Sequence, residues 1–209
     1  MMHEFSERLQ HALQQPLPGI RAHERMMSYK RPSAEDAIKI DPEHRKGSVL
    51  VHFYPHVDEI YVSLMLRNTY NGIHSAQVSF PGGKNELNET PAEAALREAN
   101  EELGIEPGTV KILGQLSPVY IPPSRYLVTP VVGINTLRPD FRLDPYEVAQ
   151  LIEAPLNLLL DDSIETEQDI LLQQHGITIK APCYHLNGHT IWGATAMMIC
   201  ELKEILGRI

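Results

Sequence analysis

The sequence predicts an α/β fold, with a mixed β-sheet lying between helices. Three observations lead there. Segments rich in β-branched and aromatic residues recur along the chain, two pairs of them separated by short turns that read as hairpins. One strongly capped amphipathic helix sits mid-chain, and a second closes it. With 209 residues at 43% hydrophobic, the chain can bury a sizeable core.

The elements follow in order. Residues 4–15 read as a helix with Phe5, Leu9 and Leu13 on one face. Residues 16–47 form a polar, proline-containing connector with a short helix near Ala34. The chain therefore divides into an N-terminal helical extension, 1–47, packed on a domain spanning 48–209. Residues 49–54 and 60–67 predict a hairpin, and 77–80 a short strand. The next helix, 91–103, has its own start and stop signals. Thr90 is the N-cap, Pro91 takes the first helical position, Glu93 completes a capping box, and Gly104 ends it. Ala92, Ala95, Leu96, Ala99 and Leu103 share the arc expected to face the core, while Glu98, Glu101 and Glu102 share another. Residues 110–120 and 126–134 predict strands, 145–153 a short helix, and 156–160 a buried segment. Residues 177–186 and 189–192 flank Asn187-Gly188, a strong hairpin turn. The closing helix runs through Met198, Leu202 and Leu206, and Trp192, which opens it, is expected as a core anchor.

The chemistry concentrates at the mid-chain helix. Glu89, Glu98, Glu101 and Glu102 surround Arg97. Arg97 can pair with Glu93 and Glu101, but Glu98 and Glu102 are left stacked at i, i+4 as like charges. A divalent cation would offset that repulsion, and an ion held by oxygen ligands points to phosphate chemistry. Gly82 and Gly83, in Phe80-Pro81-Gly82-Gly83, let backbone approach closely and bring a carbonyl oxygen near the carboxylates.

The segment 83–105 resembles the Nudix box: glycine, five residues, glutamate, seven residues, then Arg-Glu-apolar-x-Glu-Glu-x-Gly-apolar. Gly83, Glu89, Arg97, Glu98, Glu101, Glu102, Gly104 and Ile105 fall in place, with Ala99 smaller than usual. The resemblance implies a Nudix-type α/β/α sandwich and a metal-dependent pyrophosphohydrolase using Mg²⁺ or Mn²⁺. It implies metal ligation by Glu98, Glu102, the Gly82 carbonyl and Glu101, the last directly or through water. Glu89 and Arg97 would brace the loop against the helix. A carboxylate takes the proton of the attacking water. Glu101, Glu102 and, outside the box, Glu147 are the candidates, the alternative for Glu147 being a residue in the first turn of a helix.

Substrate choice must come from other segments. Residues 64–83 resemble the motif of the coenzyme A pyrophosphatase branch of Nudix hydrolases. Arg67, His74, Gln77, Val78, Ser79 and the Phe-Pro-Gly-Gly run match, while Gly72 and Ala76 stand where an arginine and a glycine are usual. Residues 117–133 look like the same branch's strand-loop-strand, with Arg125 and Tyr126 at a loop tip where they could hold a base or phosphate. Leu17-Pro18-Gly19, Ala22, Met26 and Arg31 resemble its N-terminal segment. The substrate-binding candidates are thus Arg67, His74, Lys84, Arg125 and Tyr126. The resemblance implies cleavage of coenzyme A or an acyl derivative to a phosphopantetheine and adenosine 3′,5′-bisphosphate. ADP-ribose, NADH and dinucleotides remain as alternatives, as does a non-catalytic nucleotide-binding domain.

Charge and composition narrow the partners. A net charge of −9 argues against nucleic acid polymers and anionic membranes, and leaves room for small anions that arrive with a metal. Cys183 and Cys200 show no metal spacing and read as buried thiols of a reducing compartment. The ten histidines are scattered, most expected at the surface. No leader or membrane-spanning stretch is evident, so the cytoplasm is the expected compartment, with a homodimer the one protein assembly left open.

Overall fold

The computed structural model describes residues 1–69, 76–172 and 176–209. Helix α1 (Met2–Leu13) and the short α2 (Ile20–His23) and α3 (Ala34–Ile40) precede the long hairpin of β1 (Arg45–His56) and β2 (Glu59–Arg67). Short strands β3 (Val78–Ser79) and β4 (Gly82–Lys84) lead into α4 (Pro91–Leu103). Strands β5 (Lys111–Gln115), β6 (Val119–Ile121), β7 (Tyr126–Ile134) and β8 (Val148–Pro155) follow, then α5 (Leu156–Leu160). Strands β9 (Glu165–Leu172), β10 (Ile177–Leu186) and β11 (His189–Trp192) precede the closing α6 (Gly193–Leu206).

The main sheet runs β3-β2-β1-β7-β5, with β4 on β1, β6 on β7 and β8 on β2. It is mixed because β1 and β7 run parallel over nine residue pairs, from Arg45↔Tyr126 to Phe53↔Ile134, while the other pairings are antiparallel. Alternation along the strands feeds two cores. Leu50, Met65 and Val131 point to α4 and pack with Ala95, Ala99, Leu103 and Ile105. Val51, Phe53, Leu64 and Val132 point the other way, toward Leu9 of α1 and Met198 and Leu202 of α6. That is the α/β/α sandwich expected. A second, antiparallel sheet, β9-β10-β11, joins it. Its β10–β11 turn is the expected Asn187-Gly188, both residues at positive φ.

Several expectations change, and residues 110–120 divide into two strands, β5 and β6. Residues 145–153 do not form a helix: the chain turns at Asp144–Val148 and continues as β8, paired along β2 from Arg67↔Val148 to Tyr61↔Pro155. The available edge of β2 decides this short segment, since strand hydrogen bonds and burial of Val148, Ile152 and Ala154 outweigh a weak local pattern. On α4 the fully buried residues include Ala94 and Glu102, while Ala92 and Leu96 are only half-buried. Trp192 is half-buried at the N-cap of α6 and lines a cavity rather than anchoring the core.

Two buried polar networks hold these layers. Glu201 of α6, fully buried, accepts from the Gly19 N–H (2.9 Å), the Ser117 N–H (3.0 Å) and the Ser117 hydroxyl (2.7 Å), and bonds His23 Nε2 (3.1 Å). It thereby ties the N-terminal segment and the β5–β6 connection to the last helix. His52, also fully buried, sits between Ser63 (3.2 Å) and Asn135 (2.8 Å). These two histidines, His23 and His52, depart from the expected surface pattern.

Burial drives the His52 imidazole down to about 4 from its ordinary 6.5, against a hydrogen bond to the Asn135 amide oxygen that works the other way. A histidine whose pKa is depressed by folding contributes stability that is full above its unfolded pKa and lost as pH falls toward the folded one. Stability is therefore expected to drop by about 3 kcal/mol between pH ~6.5 and ~4 on account of this residue. Denaturant unfolding of the wild type and His52→Gln across that range checks it, the variant showing a flatter profile.

Candidate active site

The capping box of α4 is present as the sequence predicts: the Thr90 hydroxyl accepts from the Glu93 N–H and Glu93 accepts from the Thr90 N–H. Gly104 closes the helix in the left-handed conformation at φ 71°. Between β4 and α4, Arg97 holds the loop. Its Nε and Nη2 reach the two carboxylate oxygens of Glu89 at 2.9 and 3.1 Å, and Nη2 also donates to the Lys84 carbonyl at 3.0 Å. This fork is geometric bracing of the kind an arginine supplies to a carboxylate. Its Nη1 binds Glu98 (2.9 Å) and Glu101 (3.1 Å).

The glycine pair is needed where it stands. Gly82 has φ 152°, and a Cβ there would lie 2.3 Å from the Ser48 carbonyl oxygen. A Cβ on Gly83 would lie 2.4 Å from Oε2 of Glu98. The Glu98 carboxylate thus occupies the space a side chain would take. Glu102 is 1% exposed. Its Oε2 accepts from the Gly82 N–H at 2.7 Å, and its Oε1 lies 3.1 Å from Arg67 Nη1 without a hydrogen bond. Arg67 Nη2 donates to the Gly82 carbonyl at 2.7 Å. One guanidinium therefore bridges the backbone and the buried carboxylate.

Glu147 joins this group from the turn before β8. Asn68, just after β2, fastens that turn: its N–H donates to the Glu147 carbonyl (2.9 Å) and its amide to Pro145 (2.8 Å). Burial pushes the Glu102 carboxyl up to about 7, opposed by Arg67 and the Gly82 N–H and reinforced by Glu98 and Glu147. Burial likewise raises Glu98, opposed by Arg97 and reinforced by Glu101 and Glu147. Glu98, Glu102 and Glu147 line one cavity of about 740 Å³ together with Arg67, Lys84 and Tyr126.

Two expected site residues are not part of the cavity wall. Glu101 is mostly exposed and turned to Arg97. Arg125, on its loop at φ 58°, pairs with Asp41 and is not part of the cavity wall. His74 and Gly72 lie outside the described residues. The cavity also has walls that sequence reasoning did not assign: Tyr29 and Arg31 from the N-terminal segment, Ile170 to Leu172 from β9, and Trp192 to Thr195 with Met198 at the start of α6. Arg31 belongs to the stretch 17–31 that resembles the branch's N-terminal segment, but spacing alone does not show that a connector arginine enters a cavity.

Residues 44–154 match the NUDIX domain family. The chain belongs to the Nudix family of pyrophosphohydrolases. It is 36% identical over 132 residues to the uncharacterized Nudix hydrolase NudL of Photorhabdus laumondii, covering 63% of this chain and 69% of that protein. The NudL of Yersinia pestis matches at 36% over 132 residues, covering 63% of this chain and 65% of that protein. The chain thus spans about two thirds of the length of these relatives. Among solved structures it resembles a Nudix hydrolase from M. smegmatis, RenU, with a TM-score of 0.56 at 17% identity, over 79% of this chain and 88% of that one. That likeness shows the Nudix fold.

Nudix hydrolases typically use divalent metals. Among the described residues no three His, Cys, Asp or Glu side chains converge as a ready-made metal cluster. The Nudix box nonetheless offers a hard-oxygen donor set that suits such an ion. Oε1 of Glu102 is buried without a hydrogen bond, the Glu98 carboxylate fills the cradle over Gly83, and the Gly82 carbonyl accepts from Arg67, which also pairs with Glu102. The raised pKa values of Glu98 and Glu102 carry the same message, since a cation would relieve the repulsion that contributes to them. No helix among the described residues is long and apolar enough to cross a membrane.

Proposed function

We propose that this protein hydrolyses the diphosphate of coenzyme A or an acyl-coenzyme A, releasing a phosphopantetheine and adenosine 3′,5′-bisphosphate. The observation that carries the reading is the cavity itself. Carboxylates and Arg67 stand at its Nudix-box wall, and a mainly apolar surface of Ile121, Val128, Leu171 and Met198 continues from it. Its volume suits a nucleotide-sized ligand. A diphosphate with a long, largely uncharged arm needs both kinds of wall. The Phe80-Pro81-Gly82-Gly83 run and Arg67 also support this branch of the family.

In this reading Glu98, Glu102 and the Gly82 carbonyl hold Mg²⁺ or Mn²⁺, with Glu101 contributing through water. The ion, when bound, supplies Lewis-acid polarisation of the diphosphate and a more acidic water. The chain's own residues do the rest. Arg67 meets a phosphate oxygen, and its link to the Gly82 carbonyl fixes its direction. Lys84 adds positive charge at the cavity rim, and Tyr126 offers an aromatic face. Glu102 and Glu147 are the carboxylates best placed to take the water's proton. Glu102 stands at the ion's site, and Glu147 is exposed on a turn that Asn68 fixes at the cavity.

A substrate panel followed by mass spectrometry tests the reading: coenzyme A, acetyl-coenzyme A, ADP-ribose, NADH and a diadenosine polyphosphate, each with Mg²⁺ and Mn²⁺. Preferred cleavage of coenzyme A to a phosphopantetheine is the expected result. Preference for another substrate keeps the hydrolase and discards the branch. Binding without cleavage of any of them would favour a nucleotide-binding role. Independently, millimolar Mg²⁺ or Mn²⁺ is expected to raise the melting temperature, by the equivalent of about 2.7 kcal/mol at a hundred times the dissociation constant. Glu98→Gln should abolish most of that shift in the same melting assay.

A further inference from the structure

Arg31 is a charged cavity residue that the diphosphate chemistry leaves unexplained. Its residue is 8% exposed, and its Nε and Nη1 are buried with no hydrogen-bond partner among the described residues. Burial pulls the guanidinium below its ordinary pKa, and only the neighbouring Tyr29 works the other way. An arginine stays charged even so, and a buried unpaired charge is costly. Tyr29 covers one face of the guanidinium, 4.8 Å from ring centroid to Cζ, and Nη2 is the nitrogen left outside the buried, unpartnered pair.

The same corner holds a second positive feature. Nη2 of Arg31 lies 3.9 Å from the place a Cβ on Gly193 would occupy. Gly193 is the first residue of α6, a fourteen-residue helix whose N-cap, Trp192, supplies no side-chain acceptor and whose first turn contains no acidic residue. The opening N–H groups of a helix have no intrahelical partner and favour an anion. Gly193, Ala194 and Thr195 all line the cavity, while the Thr195 hydroxyl is committed to the Val78 carbonyl at 3.1 Å.

We infer that the Arg31 guanidinium and the first turn of α6 form a subsite for a phosphate monoester that the substrate carries outside its diphosphate. The inference rests on the diphosphate-hydrolase reading above and sharpens it: the preferred substrate is a ribose-phosphorylated nucleotide conjugate. A planar arginine fork and helix N–H groups suit a dianionic phosphate. Coenzyme A carries such a group at the 3′ position, and NADPH carries one at the 2′ position.

The test compares kcat/KM for coenzyme A against dephospho-coenzyme A, and for NADPH against NADH, in wild type, Arg31→Gln and Arg31→Lys with Mg²⁺. Wild type is expected to prefer the phosphorylated member of one pair by about 10- to 100-fold, the range a charge-assisted hydrogen bond supplies. The pair that shows it identifies which ribose position is read. In Arg31→Gln the preference should fall to near unity, with Arg31→Lys between. An unchanged preference in Arg31→Gln, or none in wild type, overturns the subsite. Calorimetry of the wild type with adenosine 3′,5′-bisphosphate, adenosine 2′,5′-bisphosphate and AMP reads the subsite without turnover and without a variant. Tighter binding of one bisphosphate supports it even if no substrate in the two pairs is cleaved, a result that would count against the hydrolase reading alone. Equal binding of all three overturns the subsite even if coenzyme A is cleaved.

Discussion

Glu102→Gln is expected to lower turnover by about 10²- to 10⁴-fold, the contribution of a positioned acid–base group. Its stability should not fall in step. The Glu102 carboxyl is pushed up to about 7 by burial, so at neutral pH folding works against its charge. A carboxyl whose pKa is raised by folding favours the folded state when protonated, and that advantage is lost as pH climbs from the unfolded value through the folded one. A neutral amide avoids this. In the presence of chelator, the variant should melt no lower than wild type at pH 7 and lose ground to it toward pH 4. Calorimetric melting beside steady-state rates separates the two effects. A variant that is both inactive and grossly unstable would place Glu102 among the structural residues, and a near-wild-type rate would remove it from the chemistry.

Glu201→Ala is expected to give the largest loss of stability, about 3 kcal/mol or more, because four hydrogen-bond donors around a fully buried carboxylate lose their acceptor at once. Burial alone would raise the pKa of this carboxyl, but His23 and Ser117, with the Gly19 N–H, outweigh it and hold the group below its ordinary range. A depressed carboxyl contributes stability above its unfolded pKa and loses it as pH falls through the folded one. The gap between wild type and variant should therefore narrow below pH ~4. Urea unfolding at pH 7 and at pH 3.5 measures both numbers. Equal stability at pH 7 would mean that water replaces the carboxylate without cost.

The difference between these two glutamates shows what the sequence could and could not reveal. Glu102 was legible because its spacing from Gly83, Arg97 and Glu98 is a local pattern, and helix geometry turns local spacing into a shared site. The cap residues of α4 were legible for the same reason. Glu201 looked like an ordinary helix residue, since its partners Gly19, His23 and Ser117 come from distant segments. Residues 145–153 misled because a short run with mixed character takes its structure from the neighbouring strand β2. Strand β9 is not legible in the sequence, because its exposed alternation, with polar Glu165, Glu167 and Asp169, carries a weak signal without its partner β10. Arg31 and Trp192 share the reason: a cavity wall made by both ends of the chain has no signature in either end alone.

That joint wall also orders events during synthesis. Domains fold from the N-terminus as the chain emerges, at roughly 5–20 residues per second. The parallel pairing of β1 with β7 and the carboxylates of α4 require nothing beyond Ile134. Arg31, already made, has to wait for Gly193 and Met198, which leave the ribosome roughly 3–13 s after Ile134 at those rates. Through that interval the apolar face of the sheet that α6 covers lacks its lid. A nascent chain stalled before Gly193 should therefore expose Val51, Phe53 and Leu64 to a hydrophobic probe or a chaperone, although its Nudix box is complete.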